Sequence, residues 1–83
     1  MGNPVSDIVE LDARRLLCPM PVIRLQDCLN RQPAGAQVRI SCTDPGTLND
    51  IPTWCRINNH EVLAIDQQPQ EIQFLVQKSA DGD

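Results

Sequence analysis

The sequence predicts an α+β fold, a two-layer α/β sandwich in which a four-stranded mixed sheet carries two helices on one face. Four short segments alternate apolar with polar residues, and two segments between them repeat apolar residues at helical spacing. The resulting order is β-α-β-α-β-β, and strand-helix-strand units cross over with one hand, which places both helices on the same face. The length of 83 residues suits one domain of two layers.

The first half of the chain is predicted to form a strand, a helix and a second strand. Alternation around Val9 and Leu11 indicates a strand over Val5–Asp12, and helical spacing indicates a helix over Pro19–Arg31. Residues 32–35 contain a Pro/Gly turn, and Ala36–Thr43 alternates most regularly. The apolar stripe of this first helix consists of Val22, Leu25, Cys28 and Leu29.

The second half is predicted to form a helix and two further strands. Asp44-Pro45 is a cap-plus-proline signal for the helix, and Pro52 should kink it or delay its start to Asp50. Glu61–Asp66 and Gln70–Lys78 are the two strands, joined by a short turn. The buried stripe of this second helix is predicted to be Leu48, Ile51 and Cys55. The sheet face away from the helices, solvated or used in pairing, would carry Gln37, Arg39, Gln73 and Gln77.

Composition places these elements in a single domain over residues 5–78, with residues 1–4 and 79–83 as flexible termini. Trp54 and Phe74 are the only aromatic residues, so the core should be aliphatic. The net charge of −4 argues against direct nucleic-acid binding and favours a protein partner with a basic surface. No membrane span or secretory signal is recognised, so we expect a cytoplasmic protein.

The four cysteines are widely spaced and contain no Cys-x-x-Cys pair, so neither a zinc site nor a dithiol redox site is expected. Two disulfides would require an oxidising compartment, which nothing in the sequence indicates. Periodicity places Cys28, Cys42 and Cys55 on buried faces, where cysteine behaves as a small hydrophobic residue. Cys18 stands apart from them.

Cys18 is predicted at the N-cap of the first helix, within the stretch Cys18-Pro19-Met20-Pro21. Prolines suit the first turn because its backbone N–H groups have no partner inside the helix, and Pro19 would take the first helical position. Cys18 would then face the positive end of the helix dipole and the free N–H groups of Met20 and Val22. Such a position favours the reactive thiolate.

The surrounding residues restrict the chemistry of this thiol. Arg14 and Arg15, just upstream, would add positive potential. A protease-type nucleophile needs a histidine base, but His60 has no sequence reason to approach Cys18. Peroxide sensing needs a resolving cysteine, and Cys28 lies about 15 Å further along the helix axis. What remains is chemistry in which the sulfur itself is the cargo or the redox centre, carrying a persulfide or being oxidised reversibly.

The segments Leu11-Asp12-Ala13 and Leu17-Cys18-Pro19-Met20-Pro21-Val22 resemble the Cys-Pro-x-Pro signature of the TusA/SirA sulfur-carrier family. The resemblance covers about residues 8–78 with its elements in the family's order. It continues in Asp44-Pro45-Gly46-Thr47, Asp50-Ile51-Pro52, Trp54-Cys55 and His60-Glu61.

The resemblance implies a two-layer fold like the C-terminal domain of a translation initiation factor. It also implies a small cytoplasmic carrier that takes a persulfide sulfur onto Cys18 from a cysteine desulfurase and relays it to an acceptor protein. Family members serve tRNA 2-thiouridine synthesis, molybdenum-cofactor enzyme maturation or oxidative sulfur metabolism. Such a protein is a persulfide carrier rather than a stand-alone enzyme, and it needs no cofactor beyond the covalent persulfide and no metal.

Other residues are candidates for supporting Cys18 or contacting partners. Pro19, Met20 and Pro21 support the thiol; Asp44 falls on the family's acidic position, where it either aids partner recognition or caps the second helix. Trp54 is either an exposed anchor or partly buried packing. A non-catalytic regulatory adaptor that binds a metabolic enzyme through its helix face is the alternative function. The candidates for partner contact are Arg14, Arg15, Arg24 and Trp54.

The chain also departs from the family pattern at two positions. Several members have a basic residue directly before the motif cysteine, where this chain has Leu17. Gln26 occupies the place of a basic residue that some tRNA-thiolation members carry in the first helix. These differences bear on which donor or acceptor binds.

Overall fold

The computed structural model describes residues 8–79 and contains the predicted four-stranded mixed sheet and two helices. The sheet order is β1-β2-β4-β3. Strand β1 pairs parallel to β2, and β4 pairs antiparallel to both β2 and β3. The predicted fold class and element order are therefore confirmed. The elements are β1 (Ile8–Ala13), α1 (Met20–Asn30), β2 (Gln37–Cys42), α2 (Thr47–Ile57), β3 (Glu61–Gln67) and β4 (Ile72–Gln77).

The core lies between the sheet and the helices and is aliphatic apart from Phe74, as predicted. In the register of the central strands, Val38 lies opposite Val76 and Ile40 opposite Phe74, and all four side chains are fully buried. Burying such a side chain contributes about 1.5–3 kcal/mol, so these pairs hold the middle of the sheet. The helices add the buried side chains of Pro21, Leu25 and Leu29 from α1 and of Thr47, Ile51 and Cys55 from α2.

Both helices begin at residues other than those predicted. Pro19 is the N-cap of α1 rather than its first residue, and Pro21 lies in the first turn with a fully buried ring. Helix α2 begins at Thr47 and continues through Pro52 without a break. Pro52 has no N–H to donate to the carbonyl four residues earlier, so local sequence argues against this continuity. Packing of the flanking Ile51, which is fully buried, overrides that local preference.

The C-terminal boundary differs from the predicted flexible tail at one residue. Ser79 is buried, and its backbone N–H donates to His60 Nδ1 at 2.9 Å. The predicted tail beyond it, the predicted terminus over residues 1–4 and the predicted strand residues 5–7 lie outside the described residues.

Candidate functional site

The β1–α1 loop and the β2–α2 loop meet at one edge of the sheet. Because β1 and β2 are parallel, they end at the same edge, and the helices that follow them also begin there. The Arg15 N–H donates to Thr43 Oγ1 at 2.8 Å. The Cys18 N–H donates to Asp44 Oδ2 at 2.9 Å. These bonds fix the backbone around Cys18 against the start of α2.

Cys18 is exposed, and it lies one residue before the N-cap rather than at it. The predicted thiol contact with free N–H groups is wrong for Met20, whose N–H donates to the Leu17 carbonyl at 2.8 Å. The Cys18 thiol instead donates a hydrogen bond to Asp50 Oδ2, in the first turn of α2. The sulfur is thus a donor to a carboxylate, not an acceptor from the backbone.

This environment raises the pKa of the Cys18 thiol above its ordinary value. The main cause is the hydrogen bond to Asp50, followed by desolvation and by the negative charges of Asp50 and Asp44. All of these favour the protonated form. The predicted shift toward thiolate is therefore wrong for the free protein, because two carboxylates act against the helix dipole.

The upstream arginines do not supply the expected positive potential at Cys18. Arg14 forms a two-pronged pair with Asp12, at 2.9 Å and 3.0 Å, and this guanidinium holds the pKa of the Asp12 carboxyl well below its usual range. Neither Arg14 nor Arg15 contributes to the change in the pKa of the Cys18 thiol. Both line a separate cavity of about 430 Å³ together with Asp12, Thr43, Gln70 and Glu71.

Asp44 joins the two loops and does not cap α2. The N-cap of α2 is Gly46. One Asp44 oxygen accepts the Gly46 N–H at 3.0 Å, and the other accepts the Cys18 N–H at 2.9 Å. These backbone donors lower the pKa of Asp44. The helix-cap interpretation is wrong, and the carboxylate positions the backbone of Cys18.

An apolar patch beside Cys18 consists of Leu17, Met20 and Ile23, which are 73%, 40% and 48% exposed. Met20 and Ile23 also line a groove of about 510 Å³ along α1, and Arg24 lies in the same groove. Single exposed apolar residues are ordinary, but three together next to an exposed thiol, Leu17 in the loop before α1 and Met20 and Ile23 on the helix, suit a docking surface. Of the predicted partner-contact residues, Arg24 is the one that lies along this surface.

Trp54 is half-buried and packs against the core, which fits the packing interpretation. Its ring lies against that of His60, with 5.3 Å between the ring centroids. His60 accepts the Ser79 N–H, and burial lowers the pKa of its imidazole. His60 has no hydrogen bond to Cys18 and does not act on its pKa.

The other three thiols lie in the packed layers. Burial raises the pKa of Cys42 to about 11 and that of Cys55 to about 12, and Cys28 is half-buried against the core. All four cysteines, including Cys18, are free. Within residues 8–79, no three His, Cys, Asp or Glu side chains are grouped so that they could hold a metal ion.

Asp50 is the site residue that sequence reasoning missed. Its segment contributed to the family resemblance, but no role was expected for its carboxylate. A signal was present in the topology, since two helices that follow parallel strands begin at the same edge. A carboxylate in the first turn of α2 is thereby brought to Cys18, although 32 residues separate them.

The fold and site define a class of small two-layer α/β domains with an exposed cysteine just before the first helix. The family model described as sulfurtransferase TusA matches residues 9–78. The chain belongs to the TusA family.

Similar proteins cover most of the chain. Sulfur carrier protein TusA of Pseudomonas syringae is 33% identical over 98% of this chain and 100% of its own length. Putative sulfur carrier protein YrkI of Bacillus subtilis is 32% identical over 82% of this chain and 91% of its own. Sulfur carrier protein TusA of Allochromatium vinosum is 31% identical over 84% and 92%.

A solved structure supports the fold. The crystal structure of a SirA-like protein from Desulfitobacterium hafniense superposes with a TM-score of 0.74. It is 19% identical and covers 88% of this chain and 99% of its own. No helix among residues 8–79 has the length and hydrophobicity needed to span a membrane.

Proposed function

We propose that this protein is a sulfur carrier that accepts a sulfur atom on Cys18 as a persulfide and passes it to an acceptor protein. The exposed Cys18 thiol carries this proposal, in a family whose curated relatives are named sulfur carrier proteins. Cys42 and Cys55 are buried and Cys28 is half-buried, so Cys18 is the thiol within reach of a protein partner.

The transfer conserves atoms and electrons without a further reactant. The sulfur of Cys18 attacks the outer sulfur of a donor persulfide, and a new S–S bond forms while the donor S–S bond breaks. The bonding electron pair leaves with the inner donor sulfur, which takes up the proton that Cys18 loses. The reactants and the products each comprise one thiol and one persulfide, so the carrier needs no cofactor beyond the covalent persulfide.

A carrier of this kind needs an accessible sulfur but no base of its own, because its partners supply the remaining groups. That requirement agrees with the position of His60, which bonds to Ser79 and not to Cys18. A hydrolytic cysteine enzyme would need such a base close to the thiol. These facts favour a persulfide carrier over a stand-alone enzyme.

The apolar patch of Leu17, Met20 and Ile23 is the proposed docking surface for both partners. Apolar area at the centre of an interface excludes water and leaves the polar contacts to the rim. Arg24 would lie at that rim, while Arg14, Arg15 and Trp54 lie elsewhere and stay candidates for further contacts.

The finer assignments extend the family's properties to this chain. The proposed donor is a cysteine desulfurase in the cytoplasm. The acceptor would belong to tRNA 2-thiouridine synthesis, molybdenum-cofactor enzyme maturation or oxidative sulfur metabolism. Leu17 replaces the basic residue that several members carry before the cysteine, so acceptor choice should depend on apolar contact at this position.

A direct test is sulfur loading followed by intact mass measurement. The protein is incubated with a cysteine desulfurase and L-cysteine, and we expect the mass of one added sulfur atom that a reductant removes. Cys18→Ser should abolish the gain, and Cys28→Ser, which removes a half-buried thiol of α1, is the matched control that should keep it. Absence of a gain, or a gain that persists in Cys18→Ser, would contradict the proposal.

The regulatory adaptor is the alternative that this pair of variants also separates. The α1 groove offers a surface through which an adaptor could bind a metabolic enzyme without using the thiol. An adaptor would keep its cellular function in Cys18→Ser, whereas a carrier would lose it.

A further inference from the structure

Cys18 is held by two carboxylates that both come from the start of α2 and the loop before it. Asp44 accepts the backbone N–H of Cys18 at 2.9 Å, and Asp50 accepts the hydrogen bond of its thiol. Asp44 is occupied on its other oxygen by the Gly46 N–H. The two acids therefore differ in task, because Asp44 fixes the backbone and Asp50 contacts the reactive atom.

A carboxylate in this position works against thiolate formation. Carboxylic acids are far stronger acids than thiols, so the proton of the pair stays on sulfur. The bond to Asp50 then exists only while Cys18 is protonated, and removing the proton leaves two negative groups in contact. Asp50 accordingly acts as a hydrogen-bond acceptor and not as a general base.

Among the described residues, no positive charge offsets this effect. The groups that act on the thiol are Asp50 from α2 and Asp44 from the β2–α2 loop. In the β1–α1 loop, Arg14 is paired with Asp12, and Arg15 does not act on the thiol. On α1, Arg24 lies in the groove and does not act on Cys18 either.

We propose that Asp50 is a positioning residue that keeps the Cys18 thiol protonated and slow to react while the carrier is free. The inference rests on the proposed function, since it concerns the same sulfur before a partner docks. A partner that places a cationic group against Asp50 removes the acceptor and releases the thiolate for attack. The exposed thiol thereby reacts more slowly with small electrophiles between transfers.

The test measures thiol reactivity and needs no sulfur donor. In a Cys28→Ser background, the rate of reaction with DTNB, an aromatic disulfide, is followed between about pH 6 and pH 10, which brackets the ordinary thiol range. Asp50→Asn should shift the rate profile to lower pH. At pH 7 the rate should rise about threefold for each unit by which the pKa falls, because a tenfold gain in thiolate is partly offset by its weaker nucleophilicity.

Asp27→Asn is the matched control, because it also removes one carboxylate, in this case from the exposed ion pair with Arg31 on α1. It should leave the profile unchanged. Asp50→Ser removes the same negative charge and also shortens the side chain, so it should shift the profile in the same direction as Asp50→Asn. An unfolded variant would reveal itself by rapid reaction of the buried Cys42 and Cys55.

Three results would overturn the proposal. The first is a folded Asp50 variant with the parental profile, and the second is an Asp27→Asn variant whose profile shifts as far as that of Asp50→Asn. The third needs no variant at Asp50: the rate profile of the parent gives Cys18 a pKa at or below that of cysteine in an unstructured peptide. Because no persulfide is involved, a carrier that fails sulfur loading can still pass this test, and the reverse also holds.

Discussion

Of the four thiols in the native protein, Cys18 should react first with DTNB because it is the exposed one, although Asp50 makes it slower than an unrestrained exposed thiol. In this experiment, DTNB is added at pH 8 to the folded protein. Cys18 is exposed, Cys28 is half-buried, and Cys42 and Cys55 are 0% and 1% exposed. Two effects protect the buried pair, and their magnitudes decide which one the assay reports.

The first effect is the acidity of the thiols. With pKa values of about 11 and about 12, Cys42 and Cys55 hold roughly 100-fold and 1,000-fold less thiolate at pH 8 than a thiol at 9.0. The more basic thiolates are also more nucleophilic, which offsets part of this loss. The reaction rate is then reduced about tenfold for Cys42 and about fortyfold for Cys55. Acidity alone would therefore make these thiols slow but still visible.

The second effect is access, and it is larger. A domain of 83 residues has a free energy of unfolding of roughly 4–12 kcal/mol, so about 10⁻³ to 10⁻⁹ of the molecules are open at any time. Reaction of Cys42 and Cys55 must wait for such opening. Burial, not acidity, should thus separate the thiols into one fast, one intermediate and two that react only after denaturation.

The assay counts released thionitrobenzoate against time in the native protein and again in guanidinium chloride. We expect one fast equivalent, a slower second from Cys28, and four in total after unfolding. Cys18→Ser should lose the fast phase, and Cys28→Ser should keep it. Two or more equivalents in the fast phase, or a fast phase that survives Cys18→Ser, would refute the burial argument.

Two further predictions concern Pro52 in α2 and His60, which lies between α2 and β3. Pro52→Ala should raise the free energy of unfolding, measured in urea, by about 1–2 kcal/mol. Proline costs about 3 kcal/mol inside a helix, and the greater flexibility of the unfolded alanine variant offsets about 1 kcal/mol of that gain. A loss of stability would show that packing of the proline ring outweighs the missing hydrogen bond. Burial, and then the charge of Lys78, lowers the pKa of His60, so the unfolded chain binds a proton that the folded chain does not. The contribution of His60 to the free energy of unfolding should be complete above pH 6.5 and decrease as the pH falls toward the pKa of His60 in the folded protein. His60→Asn, whose amide oxygen can still accept the Ser79 N–H, should flatten this slope, and an unchanged slope would assign it to other groups.

The elements that could be predicted are those whose two faces differ in burial. Strands β2 and β4 alternate buried and half-buried residues along their length, and their periodicity was sufficient to identify them. Strand β3 lies at the sheet edge, where Val62 is its only partly buried residue, so its alternation is weak. The irregularity between Val62 and Ala64 has no sequence signature, because edge pairing rather than side-chain pattern determines it.

The predicted start of α1, Pro19, lies one residue before the observed start, Met20, and the difference has a specific reason. Prolines at positions 19 and 21 have no N–H to lose whether the helix begins at Pro19 or at Met20, so both starts satisfy the local rules. The turn from the Leu17 carbonyl to the Met20 N–H decides between them. That bond depends on the path of the whole β1–α1 loop.

The sign of the Cys18 pKa shift could not be obtained from local sequence. The helix-dipole argument uses neighbours within one turn, and it selects Cys18, which is the exposed thiol of the four. The stronger influence comes from Asp50, which is far away in sequence and near only through the parallel pairing of β1 and β2. A nearby full charge outweighs the fractional charge of a helix end, so topology and not the motif determines the direction in which the pKa of Cys18 is shifted.

The acidic environment of Cys18 also restricts the kind of partner that can use it. The chain carries a net charge of −4, and two carboxylates contact the thiol residue directly. A donor or acceptor with a basic surface gains in encounter rate from the overall charge. If Asp50 restrains the thiol as proposed, the same basic group that attracts the partner also releases the thiolate on contact. Docking and activation would then have one electrostatic cause, and the free carrier would react slowly because the activating positive charge belongs to the partner.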